Sequence, residues 1–282
     1  MNTLEFSWTV PDGKLFAARL WTPAEAPRAV VVLIHGLGEH GGRYVHVAEA
    51  FTQAGLAVLN FDLRGHGKTP GPRGHAPSYR VISDDILFFV DEARNRYPGL
   101  PVFLYGHSLG GALVLYTALQ RKPNLAGIIV TSPGLATGTP VTAGKLALAR
   151  FMSKVAPTFT LPNGLDRANL SRDPQVAEVY SSDPLVHDRI SARLGLELIQ
   201  NGQWMLDHAP DLTLPTLLMQ GSADHLVNPS ATRRFAETAP AHLLTFRLWE
   251  GEFHELHNET NRAEVIQTMI DWISTPIPQP TG

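Results

Sequence analysis

The sequence predicts an α/β fold, a mostly parallel sheet flanked by helices, with a helical cap inserted after the strand that ends near Thr131. Three observations carry this. Short β-branched runs alternate with helical patterns through the first half of the chain. The alternation stops near Gly134 and resumes after Ala209. Glycines crowd the ends of two apolar runs, where a strand must turn sharply into the next element.

Leu4–Val10 and Leu15–Trp21 flank the turn signal Pro11-Asp12-Gly13, so a β-hairpin opens the chain. Ala29–Ile34 is a continuous apolar run of the kind buried on both faces of a sheet. A glycine-rich stretch from Gly36 to Gly42 then leads into a helical pattern lasting to about Ala54. Leu56–Phe61 reads as a second buried strand, and Tyr79 to Tyr97 as a helix stopped by Pro98-Gly99. Val102–Tyr105 is the third strand, Leu109–Arg121 a helix, and Leu125–Thr131 the fourth strand. From Gly134 to Ala209 there are helical patterns and no convincing strand. The rhythm returns with the strand Thr216–Met219, a helix near Ser230–Thr238, the strand Leu244–Leu248 and a last helix through Ile273. The expected organisation is core over 1–134, cap over 135–209, core over 210–275 and a flexible proline-rich tail over 276–282.

Composition narrows the function. The chain has 282 residues, 44% of them hydrophobic, which suffices for a large core. A formal net charge of −3 leaves no basic excess of the kind that suggests nucleic acid. With no cysteine, disulfides, thiolate metal sites and cysteine nucleophiles are excluded. Met1-Asn2-Thr3-Leu4-Glu5 opens no signal-peptide pattern, and no apolar run approaches the roughly 20 residues of a membrane span. A soluble, cytoplasmic protein is expected.

Gly106-His107-Ser108-Leu109-Gly110 fits G-x-S-x-G, with an apolar strand before it and a small-residue helix after it. That turn strains the serine backbone and lifts its hydroxyl above the sheet, while flanking glycines remove Cβ clashes. A serine hydroxyl needs a base, and the base needs an orienting acid. In this fold class they follow in the order Ser, Asp or Glu, His. Asp224 lies just past the strand Thr216–Met219, and His254 lies in the loop after Leu244–Leu248. Asp207 and Asp211 compete for the acid role, His225 and His257 for the base, and position after the strands favours Asp224 and His254. His35-Gly36-Leu37-Gly38 follows the first buried strand, so the Leu37 and Leu109 amides are the expected oxyanion donors. His254-Glu255-Leu256-His257 is no zinc motif, because Asn258 stands where a second ligand would be needed. No metal or organic cofactor is expected.

Two other classes compete. Gly36-Leu37-Gly38-Glu39-His40-Gly41 also fits G-x-G-x-x-G, and Asp62 follows about 20 residues on, as in a dinucleotide site with its ribose acid. Glu39 would then face a pyrophosphate, and Ser108, Asp224 and His254 would have no role. A non-catalytic binding protein on the same fold would be expected to lack one of those three.

The stretches His35-Gly36-Leu37-Gly38-Glu39-His40-Gly41-Gly42-Arg43-Tyr44, Asp62-Leu63-Arg64-Gly65-His66-Gly67, Gly106 to Gly111, Gly221 to Asp224 and Glu250 to His257 resemble monoacylglycerol lipases. These belong to the lysophospholipase-like branch of the α/β-hydrolases. The resemblance runs from about Leu4 to Ile273 and is weak in the insertion. It implies a triad of Ser108, Asp224 and His254, oxyanion donors at Leu37 and Leu109, and an ester or lipid substrate. It further implies that Glu39, Arg43 and His257 lie near a polar end of the site, where glycerol hydroxyls would be held. Glu39 and Arg43 would equally serve as a structural ion pair. Lysophospholipids and short soluble esters fit the same chemistry.

Within the insertion, Leu148, Phe151, Met152 and Val155 form one apolar stripe on a helix, with Arg150 and Lys154 opposite. The stripe either packs inward on the core or the underside of the cap, or it meets a lipid surface when the cap opens. The packed reading is preferred. The insertion should also hold the substrate's apolar chain, giving an apolar tunnel with a polar mouth.

Overall fold

Every strand predicted for the core is present in the computed structural model, which describes residues 1–139 and 141–275. The tail expected at 276–282 lies outside the described residues. In chain order the elements are β1 (Asn2–Thr9), β2 (Leu15–Thr22), β3 (Ala29–Ile34), α1 (Val45–Gln53), β4 (Leu56–Phe61), α2 (Tyr79–Arg96), β5 (Val102–His107), α3 (Leu109–Arg121) and β6 (Gly127–Thr131). The insertion carries α4 (Ala143–Val155), β7 (Thr160–Pro162), α5 (Pro174–Ser182), β8 (Arg189–Ser191) and α6 (Ala192–Asp207). The chain then returns through β9 (Thr216–Gly221), α7 (Pro229–Thr238), β10 (Leu244–Trp249) and α8 (Arg262–Ser274).

Eight strands form one sheet in the order β1-β2-β4-β3-β5-β6-β9-β10. Strands β1 and β2 run antiparallel, and the pairs from β4 onward are parallel. Residues of β3 alternate between two cores, as the two-residue period of a strand requires. Val30, Val32 and Ile34 pack beneath α2 and α3, while Val31 and Leu33 pack with Phe51 and Ile266 of α1 and α8. Burial on both faces is why these strands read as unbroken apolar runs.

This topology locates the site. From β3 the chain moves outward to β4, then crosses back to lay β5 on the other side of β3. Loops leaving β3 and β5 therefore part in opposite directions and open a crevice at the carboxyl ends of those strands. Ile34 and Gly106, paired across β3 and β5, sit at its base.

One expectation for the insertion fails. It does contain strands: β7 and β8 pair antiparallel over three residues each. Strands that short carry too few residues for a two-residue period to show. Of the helices, α6 packs across α2 and α3 and joins the core, and α4 packs on α6. Among the described residues, no helix is long and apolar enough to cross a membrane.

Candidate active site

Ser108 sits between β5 and α3 with φ 54° and ψ −116°, a conformation that costs a non-glycine residue about 1–3 kcal/mol. Its neighbours hold it there. The Ser108 amide donates to the Thr131 carbonyl at 3.0 Å, and the Ser108 carbonyl accepts from the Ala112 and Gly134 amides at 2.9 and 3.0 Å. The glycines are sterically required. A Cβ on Gly106 would lie 2.3 Å from the Gly110 carbonyl oxygen, and one on Gly110 would lie 2.2 Å from that of Ile34.

The structure brings Ser108, Asp224 and His254 together from three strand ends. His254 Nε2 lies 2.9 Å from Ser108 Oγ, and His254 Nδ1 lies 2.7 Å from Asp224 Oδ2. Asp224 is oriented by its own loop, its Oδ1 accepting the Leu226 and Val227 amides at 2.8 and 3.0 Å. Burial opposes a charge on either partner of this pair. The attraction between them outweighs that cost, holding Asp224 below the usual carboxylate range and lifting His254 above the usual imidazole value. His107, 4.8 Å from the His254 ring, is driven down to about 4 by burial and by that neighbour, so it stays neutral. The rival acids stand elsewhere. Asp207 pairs with Arg234, and Asp211 lies in the turn after α6. His225 lies against Phe253, away from the hydroxyl.

Two orienting residues had no sequence signal. Gln220 Nε2 donates to Asp224 Oδ2 at 3.0 Å, and the Thr232 hydroxyl donates in turn to Gln220 Oε1 at 2.8 Å. The Ser132 hydroxyl donates to the His254 carbonyl at 2.7 Å, tying the histidine loop to the end of β6. That pair is separated by 122 positions, so nothing local announces it.

Leu37 and Leu109 both border the space beside Ser108. As the first residue of α3, Leu109 has no acceptor within its own helix. The loop that carries Leu37 is braced at several atoms. His35 Nε2 accepts from the Leu63 amide at 2.9 Å, so Nδ1 bears the proton and donates to the Gly36 carbonyl at 2.8 Å. The Gly36 amide donates to Glu39 Oε1 at 2.6 Å, and the Tyr44 hydroxyl donates to the same oxygen at 2.6 Å.

Of the two readings for Glu39 and Arg43, the ion pair is the one observed. Arg43 bonds to Glu39 and also grips Glu255 with two bonds of 2.7 and 2.8 Å. Burial resists a charge on Glu39, yet Arg43 and the nearby imidazoles draw its pKa down to about 2. His257 is fully buried and stacks on Tyr44 at 4.7 Å between ring centres. These residues brace the loop that carries Leu37 and do not border the cavity over Ser108.

The nucleotide reading fails on Asp62. It is fully buried, and its carboxylate already accepts from Arg19 at 2.9 Å, the Gly41 amide at 2.9 Å and the Lys68 amide at 2.8 Å. No oxygen is left facing a ribose.

A cavity of about 170 Å³ rises from Ser108 and His254 between the core and the insertion. Ile190, Leu198 and Ile199 contribute apolar side chains to its wall. Thr137, Asn163 and Val227 also border a larger and more polar recess of about 650 Å³ that reaches Asp166, Asn169 and His225. One of these neighbouring spaces is thus mainly apolar and the other more polar.

The packed reading of the α4 stripe is overturned. Leu148, Phe151 and Val155 are 57%, 61% and 60% exposed, and Met152 is half-buried. The covered face of α4 runs instead through Leu146, Ala149 and Ser153. Small residues on that side let α4 lie close on α6, which turns the bulky side chains outward.

Comparison with known proteins agrees with this architecture. The family profile described as "Serine aminopeptidase, S33" matches residues 25–261. An uncharacterised abhydrolase domain-containing protein of Dictyostelium discoideum is 37% identical over 268 residues, covering 94% of this chain and 28% of that protein. Human monoglyceride lipase is 35% identical over 267 residues, covering 93% of this chain and 88% of the lipase. The crystal structure of Paleococcus ferrophilus monoacylglycerol lipase superposes with a TM-score of 0.85 at 35% identity, covering 92% of this chain and 98% of that one. A strained serine at the sheet's switch point, the glycines that permit it and a profile match across most of the chain converge, and the chain belongs to the serine aminopeptidase S33 family of α/β-hydrolases.

Proposed function

We propose that this protein is a serine hydrolase that cleaves monoacylglycerols through an acyl-enzyme on Ser108. One observation carries the chemistry: His254 bridges Asp224 at 2.7 Å and Ser108 at 2.9 Å at the floor of an apolar cavity. The enzyme is a carboxylic ester hydrolase. His254 takes the Ser108 proton as the hydroxyl oxygen attacks the ester carbonyl. Negative charge then gathers on the carbonyl oxygen, and the Leu37 and Leu109 amides receive it. The C–O bond to the alcohol breaks as His254 returns the proton to the leaving oxygen. Water then attacks the acyl-enzyme through the same base and frees the fatty acid.

The monoacylglycerol assignment is supported by the lipase relatives, which match along nearly the whole chain. The division of the space into an apolar cavity and a polar recess supports it as well. In this reading residues 135–209 act as the cap, and the exposed face of α4 meets a lipid surface. The same reading assigns the enzyme to the cytoplasm, touching membranes only peripherally.

A fluorophosphonate probe is expected to label wild-type protein at Ser108 and to leave Ser108→Ala unlabelled. Turnover is then compared on monoacylglycerols, lysophospholipids and p-nitrophenyl esters. Preference for lysophospholipids, or turnover confined to short soluble esters, overturns the assigned substrate and leaves the chemistry standing.

A further inference from the structure

Helix α6 carries two glycines at inward-facing positions, and only one is explained by packing. A Cβ on Gly202 would sit 2.2 Å from the Leu135 carbonyl oxygen, so that glycine allows a backbone to pass close by. Gly195 lies seven residues earlier on the same helical stripe, with Leu198 and Ile199 between. A Cβ there would meet only Ile190 Cδ1 at 3.6 Å and Cγ1 at 3.8 Å, which is ordinary contact. Gly195 is within an α-helix, where glycine is disfavoured relative to alanine. Neither backbone conformation nor packing of the protein demands it.

What Gly195 does border is the cavity over Ser108, beside Ile190, Leu198 and Ile199. We propose that Gly195 is the residue that sets the length of acyl chain the enzyme accepts, by leaving its stretch of the wall of the cavity over Ser108 bare of side chain. This rests on the ester-hydrolase reading and adds its specificity. With about 170 Å³ available, each carbon added to the wall competes with one of the substrate. An alanine narrows the path, and a valine closes it to all but short chains. Ile190, whose side chain stands within contact of the Gly195 Cβ position, borders the same space, so removing its side-chain atoms enlarges it.

Gly195→Ala, Gly195→Val and Ile190→Ala are assayed on p-nitrophenyl esters from butyryl to dodecanoyl and on the matching monoacylglycerols. The readout is the ratio of kcat/KM for decanoyl over butyryl chains. Gly195→Val is expected to lower it about tenfold or more relative to wild type, as one or two displaced methylenes warrant. Gly195→Ala lowers it less, and Ile190→Ala raises it. The melting temperature of Gly195→Ala should match or exceed wild type, whereas Gly202→Ala should lower it. A ratio unchanged in a folded Gly195→Val protein overturns the proposal. So does an equal loss at every chain length, which marks a structural position. A wild-type enzyme that turns over no ester at all overturns the underlying reading instead, so the two failures are separable.

Discussion

The carboxyl edge of the sheet and the insertion above it are built on opposite principles. Around Ser108 each side chain is held by several partners: Asp224 by four donors, Glu39 by Gly36, Tyr44 and Arg43, and Ser108 by three backbone bonds. In the insertion the two paired strands are three residues long, and Leu148, Phe151 and Val155 lie exposed. The proposed chemistry thus falls in the over-determined region, and the proposed selection of substrate in the insertion. Substitutions should obey that division.

The largest effect is expected at the nucleophile. Ser108→Ala should lower kcat on the order of 10⁶-fold with an unchanged melting temperature. Comparable residual turnover would move the chemistry away from the elbow. Asp224→Asn comes next, at about 10⁴-fold. Its pH profile is equally informative. His254 works as a base only when neutral, and Asp224 lifts its pKa. Wild-type activity should therefore rise with pH through a midpoint above the usual imidazole value. Without the Asp224 charge, burial dominates and the acid limb should shift to lower pH. An unshifted limb would separate Asp224 from His254.

Third is Glu39→Gln, which removes a buried charge facing Arg43 and is expected to cost about 3 kcal/mol of stability at pH 7. The sign follows from its lowered pKa. The contribution is present above the carboxyl's unfolded value of 4.5 and is lost as pH falls toward about 2. The gap between thermal melts of the two proteins should thus narrow from pH 7 to pH 3, and parallel curves would contradict the buried pair. The smallest effect belongs to the insertion. Replacing Leu148 and Phe151 by Ser should weaken binding to phosphatidylcholine vesicles about tenfold, as loss of two apolar anchors implies. Equal binding by the variant would remove the lipid surface from the account.

The same division explains what could be read from the sequence. The elbow was legible because its sequence signals are contiguous: a strand, a glycine on each side of Ser108 and a helix, in one unbroken run from Val102 to Arg121. Asp224 and His254 were legible because each follows a strand that is buried or sheet-paired in regular order. Gln220 and Ser132 were not, since one looks like an ordinary residue at the end region of a strand and the other bonds across 122 positions. The α4 stripe misled because hydrophobic periodicity marks the bulky face, while close helix packing used Ala149 and Ser153. The glycine run at Gly36 to Gly41 matched two patterns, and only the three-dimensional engagement of Asp62 separates them.

Arg43 joins two carboxylates, Glu39 in the loop that supplies Leu37 and Glu255 beside His254, and Glu255 is 212 positions away along the chain. The Glu255 amide also donates to the Leu170 carbonyl in the insertion at 2.7 Å. The loop of Leu37 and the segment of His254 are thus joined through one guanidinium, and Glu255 ties that segment to the insertion. The contacts that hold Ser108 all lie within the first half of the chain, Thr131 and Gly134 among them, but the proposed base His254 lies far beyond them and joins Ser108 only when the later half has folded. Reaction with a fluorophosphonate then reports more than the presence of a serine: in a refolding experiment it should appear only with the final cooperative step, making the active site a clock for completion of the native state.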